Sequence, residues 1–160
     1  MVLSSFGAYA QHDHNGHSSH ADQKTAPAFQ DEKLGNAYAQ YIHLKDALVG
    51  SNASEAKRAA TELEKILATL PHAKKASDAA RVIAAAAKLD EQRTTFSTLS
   101  NEMTTLVKSS KLSSGVLYVE YCPMANNNSG GFWLSNEKEI KNPYFGDMML
   151  KCGSVKETIQ

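Results

Sequence analysis

No apolar run in the sequence approaches the roughly 18 residues that a membrane-crossing helix needs. Charge of one sign is lacking as well, because 17 Lys and Arg balance 17 Asp and Glu. No broad field therefore exists to hold nucleic-acid phosphates or an anionic bilayer, and neither is an expected partner. Recognisable catalytic patterns are also missing. There is no Ser-His-Asp order, Gly-rich phosphate loop, HExxH or pair of catalytic carboxylates, so an enzyme is not expected. Cysteine is scarce at 2 residues and tryptophan at 1. Two thiols are too few for a four-ligand structural zinc site built on Cys, and without a C-x-x-C pair a thioredoxin-like centre is excluded.

What the chain has is unevenly placed. The opening "MVLSSFGAYA" ends in Ala8-Tyr9-Ala10, which fits the small-residue rule of a signal-peptidase site. Residues 1–10 are therefore read as the remnant of a truncated signal peptide, with cleavage before Gln11 and a periplasmic or secreted destination. Residues 11–28 carry His12, His14, His17 and His20 with almost no apolar content, a composition that cannot order itself by burial. Such a His-rich tail is an auxiliary collector for divalent or cuprous metal, or simply a solubilising segment.

From residue 29 onward a single domain is expected. Leu34, Ala37, Tyr41, Leu44 and Leu48 recur at helical spacing until Gly50. A second helix starts in the cap-rich "SNASEA" and carries Ala56, Ala60, Leu63, Leu67 and Leu70 up to Pro71. A third stretch runs from Ala73 to Lys88, and a fourth from Asp90 to Lys111 with Phe96, Leu99, Met103 and Leu106 on its apolar face. No Gly or Pro separates these two, so one continuous helix is the alternative. His43 and His72 have no close second ligand in sequence and read as surface or partly packed residues. The fold class is thus mainly α, an up-down bundle of about four helices followed by a short strand, loop and helix tail packed on it.

The tail, residues 116–153, changes period. Val116–Tyr121 alternates as a strand, Asn126–Gly131 is a turn, and "FWLS" from Phe132 pairs back as a second short strand. A loop through "KNPYFG" then leads to a short helix from Asp147 to Gly153, with Tyr144 and Phe145 folding the tail back onto the bundle. Here sit both cysteines, the tryptophan, and Met124, Met148 and Met149. Cys122 and Met124 are two apart and share a strand face, while Met148 or Met149 shares a helix face with Cys152. Thiolates and thioethers select soft ions, so these five residues could hold copper(I) or silver(I), with Trp133 as a cover for the ion. The other reading is a Cys122 to Cys152 disulfide, which closes a loop of about 30 residues and stabilises the fold by roughly 3–4 kcal/mol on the chain-entropy model. In it the methionines fill gaps and Trp133 is a core anchor. The residues alone leave both open.

In order along the chain, "EQRTTFSTLS" (91–100), "YCPMA" (121–125), "FWLS" (132–135) and "IKNPYFGDMMLKCG" (140–153) resemble a bacterial family of unknown function. That family occurs as small exported proteins and fused to the C-terminal end of CusB/HlyD-like heavy-metal efflux adaptors. The resemblance implies a helical bundle with a sulfur-bearing tail and a metal-resistance setting. It points to Cys122, Met124, Met148, Met149 and Cys152, and to a heavy-metal efflux adaptor or other envelope protein as partner. This chain departs from the fused members in having no adaptor barrel or hairpin before the bundle.

Overall fold

The computed structural model describes residues 26–160. The expected signal remnant and the four histidines at positions 12 to 20 lie outside the described residues. Four helices make the body: α1 (Glu32–Val49), α2 (Ala53–Leu67), α3 (Lys74–Ala85) and α4 (Leu89–Lys108). Consecutive helices pack on one another along the chain. Short polar caps begin the first two. Asp31 accepts from the Lys33 and Leu34 backbone N–H groups, and Asn52 accepts from that of Glu55, each satisfying donors that a helix start leaves orphaned. Tyr41, Leu44, Leu48, Leu63, Leu67, Ile83, Phe96, Leu99 and Met103 are all fully buried. Each contributes on the order of 1.5–3 kcal/mol of transfer free energy, so the spacing that marks the helices also builds the core.

The third and fourth helices are separate. α3 stops at Ala85, and Ala86 and Lys88 take extended backbone angles before α4 begins. No helix breaker sits here; the turn lets α4 fold back against α3 and lay Phe96 and Leu99 into the core. At the far end α4 stops at Lys108 instead of running to Lys111. The chain is drawn out there because β2 (Leu112–Ser114) pairs antiparallel with β1 (Ala28–Phe29), and the Gln30 N–H donates to the Lys111 carbonyl.

The tail is a three-stranded antiparallel sheet in the order β4-β3-β5, with β3 (Leu117–Cys122) central, β4 (Gly131–Ser135) on one side and β5 (Ser154–Ile159) on the other. The alternating stretch is therefore a strand, and "FWLS" pairs back on it, with Trp133 opposite Glu120 and Phe132 opposite Tyr121. The expected helix from Asp147 to Gly153 does not form. A single 3-10 turn at Gly146–Met148 takes its place, without a side-chain cap from Asp147. Two long-range ties prevent a helix: the Asn142 backbone N–H donates to the Leu150 carbonyl, and its side-chain amide donates to that of Cys152. These bonds stretch the segment across the base of the sheet and deliver it to β5, which sequence periodicity did not reveal. β5 has an exposed outer half, so it shows no strong alternation to read.

Two tyrosines satisfy one edge of this sheet, Tyr41 from the bundle and Tyr144 from the tail itself. Its β4 edge has backbone groups facing away from β3. The Leu134 N–H donates to the Tyr41 hydroxyl at 3.0 Å, and the Tyr144 hydroxyl donates to the Phe132 carbonyl at 2.6 Å. An edge that would otherwise be left bare inside the protein is thereby satisfied by side chains. Helices and sheet share one hydrophobic core.

Candidate functional site

Cys122 ends β3, fully buried, and its register partner is Gly131. Pro123 stops the ladder, since it has no N–H to offer. The chain then makes a turn in which Asn126, Asn127 and Asn128 all take positive φ of 52°, 55° and 64°. Three consecutive left-handed residues cost roughly 1–2 kcal/mol each for most side chains, and asparagine is among the types that tolerate the conformation best. The run of three asparagines is thus a conformational requirement. Met124 is left on the surface, 46% exposed.

The second arm of the site is held by two residues. Asn142, fully buried, donates to the Cys152 carbonyl at 2.8 Å and accepts from the Tyr144 backbone N–H at 2.8 Å. Arg93, on α4, donates through Nε to the Pro143 carbonyl at 3.0 Å and through Nη2 to the Leu48 carbonyl and the Ser51 hydroxyl. One guanidinium therefore joins the end of α1, the α1–α2 turn and the tail. Gly146 allows this approach: at its φ of +56°, a Cβ would stand 2.8 Å from Arg93 Nη2. Tyr144 anchors the tail, as expected, against Phe96 and Trp133.

These ties bring Cys152 to Cys122. Their sulfurs, thirty positions apart in sequence, are 2.7 Å apart, and both are free thiols. Cys122 is buried while Cys152 is only half-buried. The neighbouring Cys122 thiol, helped by desolvation, raises Cys152 to about 11, so Cys152 is a thiol at neutral pH. Met124 and Met149 line one cavity of about 510 Å³ together with Arg93, Asn127 and Tyr144. Met148 does not join them; it points to solvent, 75% exposed. The pairing of Met148 or Met149 with Cys152 on a helix face is lost with the helix, and Met149 reaches the cavity through a loop instead.

Trp133 is fully buried in the core cluster that also holds both cysteines, and its ring end would lie 2.8 Å from a Cβ on Gly153. It packs edge-on to Tyr144 at 6.0 Å, as a core anchor beside the thiol pair. His43 pairs with Glu55 on the surface at 2.7 Å, and His72 sits in the turn after α2 at a φ of 62°. Among the described residues no group of three or more His, Cys, Asp or Glu could hold a metal ion. Any ion at the thiol pair would have to complete its shell with thioethers or backbone.

Arg93 and Asn142 were not singled out from sequence, though each left a trace. Arg93 stands three residues before Phe96 on the apolar face of α4, an odd place for a charge, and Asn142 precedes a proline, a turn-forming dipeptide. A further feature with no sequence signal lies on β3. Glu120 is fully buried opposite Trp133; no hydrogen bond of good geometry reaches its carboxylate oxygens, yet the facing indole N–H is near enough to favour the charged carboxylate. Burial pushes Glu120 up to about 7, offset in part by the buried Lys45 ammonium.

Residues 37–115 match the family model described as "Protein of unknown function (DUF3347)". The matched stretch covers most of α1 through β2, and the sulfur-bearing segment follows it. No curated protein and no solved structure matches the chain.

Proposed function

We propose, from a bundle that matches a family of unknown function and a tail that gathers sulfur, that the chain is a soft-metal binding protein of the cell envelope. It would take copper(I) or silver(I) on Cys122 and Cys152, in connection with heavy-metal efflux, with Met124 and Met149 as further donors that reach the thiols only if the loops move, because the cavity they line does not include either cysteine. The observation that supports this most is the convergence of the two free thiols to 2.7 Å. Soft donors suit cuprous and silver ions, and the absence of a three-member His, Cys or carboxylate group among the described residues weighs against harder ions. Binding requires both thiols to lose protons and the sulfurs to separate, since thiolates stand about 2.3 Å from a bound zinc ion and similar lengths here imply a gap of roughly 4 Å. Cys152 lies in irregular backbone, where such a shift is easiest.

The test is an anaerobic Cu(I) titration of the reduced full chain against a chromogenic chelator. Tight binding of one equivalent that Cys122→Ser or Cys152→Ser abolishes supports the reading. Substituting His12, His14, His17 and His20 should leave it in place. Loss of binding on removing the histidines, with the cysteines dispensable, overturns it.

The same short separation favours a second reading, in which a Cys122 to Cys152 disulfide staples an interaction module that docks on an efflux adaptor or another envelope protein. Intact mass before and after alkylation of protein from its native compartment separates the two. Blocked thiols support the staple, and free thiols count against it.

A further inference from the structure

The two cysteines are unequal. Cys122 is rigidly placed: fully buried, at the end of the central strand, its backbone in register with Gly131. Cys152 is half-buried in a turn whose N–H donates to the Met149 carbonyl and whose carbonyl accepts from Asn142. Cys152 is therefore the more accessible of the two from solvent. The loop between them contains Met124, the left-handed asparagine turn, β4 and Met149, so a bond between the sulfurs would lock the cavity wall on both sides.

Resting on the soft-metal reading above, we propose that the pair is a redox gate on that site, with Cys152 as the exchanging thiol toward an external disulfide and Cys122 as the resolving thiol. In the first step Cys152 gives up its proton, and its small thiolate fraction, selected by access rather than acidity, attacks one sulfur of the external disulfide; a Cys152 mixed disulfide forms, and one thiolate leaves and takes up a proton. Cys122 then gives up its proton and attacks Cys152 Sγ, 2.7 Å away, expelling the second external thiolate, which is protonated. The pair loses two electrons and two protons, and the external disulfide becomes two thiols. The oxidised sulfurs have no thiolate to offer, so metal and disulfide exclude each other. Gly153 places the backbone next to Cys152 against Trp133, the single tryptophan of the chain, so indole emission reports the state of the pair.

The experiment uses the full chain, reduced under nitrogen, with oxidised glutathione as the disulfide and a maleimide as the thiol probe. Peptide mapping of the partly alkylated wild-type protein is expected to show Cys152 labelled at least about tenfold faster than Cys122. Oxidised glutathione should remove two hydrogens from the intact mass, shift Trp133 emission and weaken Cu(I) binding by about a hundredfold or more. In Cys122→Ser, the Cys152 glutathione adduct should persist; wild-type mapping carries the same test if that variant does not fold. Equal labelling of the two cysteines, or a chain that stays reduced in excess oxidised glutathione, overturns the gate. Cu(I) binding by both redox forms overturns the gate alone, whereas failure of the reduced form to bind overturns the metal reading and the gate with it.

Discussion

The bundle and the sulfur-bearing tail are held together by different means. From α1 to α4 each helix packs on the one before it, mainly through apolar residues repeated at three- and four-residue spacing. The tail packs into the same core through Leu117, Val119, Trp133, Leu134 and Tyr144, and its loops are fixed besides by individual polar ties: Arg93 to Pro143 and Tyr41 to Leu134 from the bundle, Asn142 to Cys152 and Tyr144 to Phe132 within the tail. Distributed packing degrades gradually when one side chain is lost, whereas the irregular loops of the tail depend more on each tie that holds them. The site is built where the second kind of construction meets the first.

Breaking the bundle should give the largest effect. Leu63→Ala empties a fully buried position on α2 and is expected to cost about 2–5 kcal/mol. Helical circular dichroism and Trp133 emission should then fall together in a urea titration. Arg93→Ala removes three hydrogen bonds and leaves buried acceptors on both regions, for a loss of about 3 kcal/mol. Here the two signals should part, with emission changing at lower urea than helicity; coincident transitions would mean that Arg93 serves the bundle only.

A pH titration tests the seam between α1 and β3. Glu120 has its pKa raised, so folding favours its protonated form. That contribution is complete below the unfolded value of about 4.5 and is lost as pH rises through about 7. The metal-free protein should therefore lose about 2–3 kcal/mol between pH 5 and 8. Glu120→Gln should flatten the dependence, and an unchanged slope would acquit this residue.

The smaller effects sharpen the contrast. Asn127→Val forces a β-branched residue to a φ of 55° at an exposed position and should cost about 1–2 kcal/mol through backbone alone, while Asn127→Gly should not destabilise. Asn52→Ala removes the α2 cap and should lower the urea midpoint by the equivalent of about 1 kcal/mol. Unlike Arg93→Ala, it should move both signals equally.

The bundle was readable because its information is local. Leu34, Leu44, Leu63 and Leu99 declare their face by spacing, and Asp31 and Asn52 declare the helix starts. The α3–α4 break at Ala86 carried no breaker and was decided by where Phe96 had to pack. In the tail, β3 and β4 were readable by alternation and β5 was not, because its outer half faces water. The Asp147–Gly153 helix was a reasonable local expectation that Asn142 overrode from outside the segment.

The amino-acid order by itself determined the amphipathic helical stretches, a β-forming tail and the concentration of soft sulfur in that tail, since composition and periodicity are properties of neighbours along the chain. Tertiary structure alone decided that Cys152 meets Cys122, that Met149 joins Met124 while Met148 faces solvent, and that Glu120 is buried opposite Trp133. Each of these depends on bonds between residues far apart in sequence, for which no local pattern exists.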